Sequence, residues 1–476
     1  MRLFSNMKRC VVLGLATLLS ACSTFHPWQN EVAKATPGNV APESKLIKTQ
    51  SIVVAVTMSG GGARAAAFGL GVLRELKDTQ FTWEGQSTTI LDKLGMISGV
   101  SGGSILAAYY AAFGDDTFTR FESEFLLSNF EGSLIQTTFS PKQMYRLRSP
   151  WYGRSQVLSE QLNRLYRGMT FGDLQKNPRA PELVVTATDL TTGAPFEFTA
   201  EQFALICSDL DSVPLSFAAA ASSAVPIVLT PLTLRNYAQD CPKRPDATRV
   251  SKGNLGADNY RSHIIKATED SYKNAAERPF LHLVDGGLTD NLGVRMLLDR
   301  AIADGSVQAN FRDAPPGSIR RVVLISINSE RDLAERIDQN DKVPTTGQVA
   351  DALLFGVGSR DSQVTLAMLN DDVTRWNREI IEHRGKKDSP FAADAEMHVI
   401  SVSLRDIKDN RQRRALLQVP TAFTIAPSYV EQLQLAGREV LRQSPEFQRM
   451  LESLKKASPP QQQESKLQSF KQQMVE

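Results

Sequence analysis

Hydrophobic positions along this chain fall into two alternating patterns. Short apolar runs occur at 51–58 (SIVVAVTM), 93–98 (KLGMIS), 182–190 (ELVVTATDL), 280–284 (FLHLV), 320–327 (RRVVLISI) and 397–404 (MHVISVSL). Runs of this length, rich in β-branched residues, predict strands buried on both faces. Between them lie segments of helical character: AAAFGLGVLREL, SILAAYYAAF (104–113) and GVRMLLDRAIAD. PFEFTA (195–200) reads as a strand pairing back onto 182–190 around TTG. The alternation predicts an α/β fold with a central, mostly parallel sheet covered by helices. Beyond 405 the strands stop, and YVEQLQLAGREVL and EFQRMLESLKK predict amphipathic helices.

Three stretches depart from this pattern. Arg2, Lys8 and Arg9 precede the apolar run CVVLGLATLLSA, which ends in LSAC with small residues before Cys22. A positive start, a short apolar stretch and small residues predict an export signal over 1–21. The ending resembles the lipobox of bacterial lipoproteins, which implies cleavage before Cys22 and acylation of that cysteine. An ordinary signal peptide or an uncleaved anchor is the alternative. Ser23 stands where an aspartate would signal inner-membrane retention, so the expected place is the outer membrane, facing the periplasm. Residues 22–50 are polar and proline-containing and read as a tether. Residues 238–278 are charged and polar and read as an insertion in the domain 51–410, a solvated loop rather than a cover over a site. Helices over 411–457 and a glutamine-rich tail, 458–476, would complete the chain.

Composition narrows the classes. Of 476 residues, 42% are hydrophobic and 22% charged, which suits a globular domain with a large core. No internal apolar run is long enough to read as a membrane span. Removing 1–21 takes the formal charge from +2 to −1, leaving no basic field for nucleic acid. Cys207 and Cys241 would then remain beside Cys22 in a compartment that tolerates disulfides. A bridge between them and two separate buried thiols are both open.

Candidate chemistry sits at three strand ends. GMISGVSGGSIL (95–106) places Ser101 between Gly99 and Gly103 after a strand and before a helix. That is the setting of a nucleophile elbow, whose sharp turn demands small neighbours. MSGGGARAA (58–66) offers Gly60, Gly61 and Gly62 as backbone donors for an oxyanion. A phosphate loop is excluded there because no Lys-Ser or Lys-Thr pair follows, and a dinucleotide loop because Ala65 replaces the third glycine. Arg64 beside it could hold a lipid phosphate or brace the loop. LVDGGLTDN (283–291) supplies Asp285 as a base, with Gly286 and Gly287 clearing space.

Taken together, these residues resemble the patatin-like phospholipase family. Its glycine-rich oxyanion loop, G-x-S-x-G serine and D-G-[GA] aspartate occur here in the same order. The resemblance spans roughly 51–328 and includes TFGDL…ELVVTATDLTTGAPFEF and AAAASSAVPIVLTPL. It implies a three-layer patatin-like fold and a Ser101–Asp285 dyad that needs no metal or organic cofactor. Membrane lipids would be both substrate and anchoring surface, and a protein partner is left open. Ser59 and Ala65 depart from the usual glycine loop, and SGGGARA is closer to the cytosolic phospholipase branch.

The nearest rival is a Ser-His-Asp esterase, which needs a histidine after the aspartate. Only His383 and His398 follow it; His26, His263 and His282 do not. His398 lies within a strand and His383 at a charged helix end, both poor places for a mobile base. A lipoprotein that binds acyl lipids or a partner without catalysis is the second rival. The intact serine, aspartate and glycine set argues against it.

Overall fold

The computed structural model describes residues 28–33, 51–241, 260–295, 297–299, 306–311, 314–331, 337, 341–352 and 357–457. The expected signal, Cys22, most of the tether and the tail lie outside the described residues. Twelve strands are described. They are β1 (Glu31–Val32), β2 (Ile52–Met58), β3 (Gln80–Trp83), β4 (Gln86–Thr89), β5 (Leu94–Val100), β6 (Glu182–Asp189) and β7 (Pro195–Glu197), then β8 (Ser208–Asp209), β9 (Leu232–Arg235), β10 (Phe280–Val284), β11 (Ile319–Asn328) and β12 (Phe391–Ser403). Eight form the central sheet in the order β12-β11-β2-β5-β6-β10-β9, with β7 also paired to β6. The pairs from β12 to β6 are parallel; β10 runs antiparallel to both β6 and β9.

The sheet is apolar on both faces because both faces are covered. On β2, Ile52, Val54, Val56 and Met58 point into one core cluster and Val53 into another. That alternation is the two-residue period of a strand between two helical layers. The first layer holds α1 (Gly62–Asp78), α2 (Gly102–Phe113), α3 (Pro141–Arg146), α4 (Arg154–Leu165) and α5 (Leu215–Ser222), the short α3 lying at its rim. After α6 (Tyr260–Lys273), the second face is closed by α7 (Val357–His383), through Leu369, Trp376 and Ile380. The expected α/β fold with helices on both faces is therefore present.

The C-terminal helices are part of the first layer. α8 (Pro427–Gln443) lies on α1 so closely that a β-carbon on Gly71 would meet the Gln434 carbonyl. α9 (Pro445–Ala457) follows it and buries Phe447, Met450 and Leu454 in the same cluster. Residues 411–457 thus share the main core rather than standing beside it.

Two expectations need correction. Part of the tether is pinned: β1 pairs with β8, and the buried Asn30 donates to Ser208 Oγ and the Arg235 carbonyl. The insertion 238–278 is not wholly a solvated loop, since α6 occupies its second half. Tyr272 of α6 is fully buried, and the Tyr272 carbonyl accepts from Asn236. Short polar strands and helices of this kind lack the apolar period that a sequence pattern needs. Cys207 and Cys241 are joined by a disulfide, with Cα atoms 5.9 Å apart. Among the described residues, no helix is long and apolar enough to cross a membrane.

Candidate active site

The parallel register brings two loops to one sheet edge. Met58 of β2 stands opposite Gly99 of β5, so the glycine loop after β2 and the turn after β5 emerge side by side. Asp285 reaches them from an antiparallel strand. β10 runs the opposite way, and Val284 pairs with Thr188. Thr186, two residues before Thr188 on β6, pairs with Val100. A β-carbon on Gly286 would strike the Thr186 carbonyl, so the strand end is pressed in at the level of Ser101.

Ser101 has φ +49° and ψ −123°, a backbone region unfavourable for any residue with a side chain. It is held there by its surroundings. Its N–H donates to Ser222 Oγ at 2.7 Å, and Ser222 donates onward to the Thr186 carbonyl. Its carbonyl accepts from the Ser104 N–H and hydroxyl. Ser101 is the N-cap of α2, yet its side chain makes no capping bond. The side chain instead lies beside the carboxylate of Asp285 on the wall of one cavity.

Asp285 is fixed as tightly. Its N–H donates to the Ala224 carbonyl, its carbonyl accepts from Thr188 Oγ1, and its Oδ1 accepts from the Gly287 N–H at 2.8 Å. Burial raises its pKa from 3.8 to about 6, against the opposing effect of the bonds from Gly287 and Ser101. Asp290, five residues on, is also buried and raised to about 7. Its carboxylate accepts from the Val294 and Arg295 N–H groups, a helix-capping role away from Ser101.

Both members of the pair line one cavity with Gly60, Gly61, Asn291 and Arg331, and Val225 and Leu288 add apolar wall. The three glycines are not equivalent. The Gly60 N–H donates to the Asn291 carbonyl at 3.1 Å, which removes it from the expected donor set. Among the described residues, the N–H groups of Gly61 and Gly62 have no acceptor, and Gly61 faces the cavity. Gly102, which directly follows Ser101 and opens α2, adds a third such donor that the sequence reading did not single out. Gly99 and Gly103 are closed in by backbone, on the start of α2 and on Ser59 respectively.

Arg64 lines the cavity, and two of its guanidinium nitrogens are taken by backbone carbonyls. Its Nε donates to the Ser329 carbonyl at 2.8 Å and its Nη1 to the Val419 carbonyl at 2.5 Å. Burial pulls its pKa down to about 9, Arg331 adding to the shift and Glu330 opposing it. These bonds brace the glycine loop through the carbonyls of Ser329 and Val419. The loop is clamped a second time by the Ala63 N–H, which donates to the Ala422 carbonyl. Ser329, Val419 and Ala422 were invisible to the sequence reading because nothing local marks a distant carbonyl as a partner.

No described histidine lines the cavity. His282 Nδ1 contacts Thr233 Oγ1 across β9 and β10, His383 ends α7, and His398 sits on the edge strand β12 beside Glu396.

The family model described as patatin-like phospholipase matches residues 56–298, which include the glycine loop, Ser101 and Asp285. Human GIVD cytosolic phospholipase A2 aligns over 87% of this chain at 11% identity, with a TM-score of 0.43. The chain spans 63% of that protein's length. VipD from Legionella pneumophila aligns over 90% of this chain and 71% of its own, at 13% identity and a TM-score of 0.32. The ExoU–SpcU complex of Pseudomonas aeruginosa aligns over 78% of this chain and 81% of its own, at 18% identity and 0.26. No curated protein sequence matches the chain. With half of its length matched and all three motifs inside the match, the chain belongs to the patatin-like phospholipase family.

Proposed function

We propose that this chain is a serine acyl hydrolase that cleaves ester-linked acyl chains of phospholipids or lysophospholipids. The observation that carries the reading is that Ser101, held on a strained turn, and the buried Asp285 meet on the wall of one cavity. Ser101 Oγ attacks the ester carbonyl as its proton passes to Asp285. A base near 6 is better matched to neutral pH than an ordinary carboxylate. The oxyanion is met by the N–H groups of Gly61 and Gly102, with Gly62 behind them; one such donor is worth about 3 kcal/mol. Asp285 returns the proton to the departing alcohol, leaving Ser101 acylated. Water then attacks the acyl-enzyme, gives its proton to Asp285, and the fatty acid leaves as Ser101 recovers its hydroxyl.

The same reading places the enzyme at the bacterial envelope. The segment ending at Cys22 supports a lipid anchor, which would hold the site near its substrate at high effective concentration.

Mass-spectrometric mapping of a fluorophosphonate adduct tests the assignment. The expected result is an adduct on Ser101 that disappears in Asp285→Asn and persists in His383→Ala. An adduct lost only in His383→Ala moves the chain to the triad class, and no adduct on folded protein removes the hydrolase reading.

A further inference from the structure

The rim of the cavity carries residues that the Ser101–Asp285 pair does not need. Val225 and Pro226 line the cavity, and the next two residues, Ile227 and Val228, turn outward, 73% and 62% exposed. Ile227 holds φ at +74°, a left-handed conformation that a β-branched residue adopts only under strain. An apolar side chain thus stands in water beside the site. Arg154 holds the loop in place by donating to the Ile227 carbonyl at 2.7 Å, and Ser155 donates to the Thr230 carbonyl. The exposed loop is therefore tied to the start of α4.

The segment leading into α4 has the same character. Phe139, Met144, Tyr145 and Trp151 are 42–69% exposed. Between Glu131 and Glu160 the sequence contains Lys142, Arg146, Arg148 and Arg154 and no acidic residue. Arg146 is used internally, lying over the Tyr152 ring and pairing with Glu160, whereas Lys142 and Arg148 are exposed. Apolar and aromatic tips set among cations of one sign match an anionic bilayer surface. Aromatic rings favour headgroup depth, and each nearby Lys or Arg is attracted to the negative surface. The charge bias is what selects this occupant over a second protein surface.

We propose that Phe139, Trp151 and Ile227, flanked by Lys142 and Arg148, form a docking surface for an anionic phospholipid bilayer and turn the cavity mouth toward it. The purpose of the docking rests on the acyl hydrolase reading; the docking itself is measured without turnover.

Tryptophan emission is followed in the full chain carrying Ser101→Ala, produced without export so that Cys22 holds no acyl group. It is titrated with vesicles whose acyl chains are brominated, either phosphatidylglycerol mixed with phosphatidylcholine or phosphatidylcholine alone. Quenching is expected with the anionic vesicles and not the neutral ones, and is expected to fall in Trp151→Phe. In Lys142→Gln/Arg148→Gln the titration shifts to roughly 30-fold more lipid, the loss that two cations represent at an anionic surface. Equal quenching by both vesicles, or quenching unchanged in Trp151→Phe, overturns the proposal. Self-association that Trp151→Asp abolishes also overturns it, by assigning the face to a second copy. Docking of the Ser101→Ala chain with no label on Ser101 of the parent removes the hydrolase reading alone. A parent that labels at Ser101 while the Ser101→Ala chain is never quenched removes the docking surface alone.

Discussion

A β-carbon on Gly102 would run into the carbonyl of Gly62, so the loop after β2 and the turn after β5 lie backbone against backbone. The position of Ser101 beneath the glycine loop depends on this approach. Gly102→Ala is expected to force the loops apart, costing about 1–3 kcal/mol and most of the fluorophosphonate labelling. Thermal melting alongside adduct mapping reads both; native melting with full labelling would show the approach to be dispensable.

Asp285→Asn is expected to raise stability while removing activity. The native carboxyl, raised to about 6, binds its proton more tightly than the unfolded one at 3.8. Its contribution is therefore fully present below pH 4 and is lost as pH rises through 6. Holding the ionised group buried at pH 8 costs about 3 kcal/mol. Asparagine avoids that cost, so its urea midpoint should exceed the parent's at pH 8 and approach it at pH 4. An equal loss at both values would contradict the burial argument.

The same group sets the acid limb of activity. Hydrolysis of a short-chain soluble ester should fall as pH drops through about 6, approaching tenfold per pH unit below it. A limb that vanishes in His383→Ala, with Asp285 intact, would transfer the base to histidine.

Arg64→Gln distinguishes a brace from a headgroup ligand. As a brace it supports the carbonyls of Ser329 and Val419, and each buried carbonyl left unpaired costs about 1–3 kcal/mol. Hydrolysis of a neutral short ester and of a phospholipid should fall together, with melting lowered. Selective loss of the phospholipid reaction at unchanged melting would restore the headgroup role.

Reduction of the Cys207–Cys241 bridge should lower stability by about 4 kcal/mol on the loop-entropy relation for its separation of 34 residues. Melting with and without reductant, beside Cys207→Ala/Cys241→Ala, measures this. A reductant effect that persists in the double variant would point away from the bridge.

Much of this site was legible because its chemistry is local. Gly99, Ser101 and Gly103 lie within five residues, and the apolar runs at 51–58 and 93–98 place them at strand ends whatever the rest of the chain does. What was illegible is what the fold supplies from afar. The triple glycine does not reveal that the Gly60 N–H is taken by Asn291, because that bond spans more than two hundred residues. The direction of β10 was hidden too, since an apolar run reads alike in both directions. β1 was missed because two residues paired at a sheet rim carry no period at all.

The packing of α8 on α1 has a consequence in time. α1 begins at Gly62, and the carbonyls of Val419 and Ala422 that hold its start come just before α8. A ribosome that has made Ser101 and Asp285 has therefore still not made the parts that set the glycine loop. A chain that ends before Val419 carries Ser101 and Asp285 without the carbonyls that set the glycine loop, and only completion of nearly all of the described residues brings the three together.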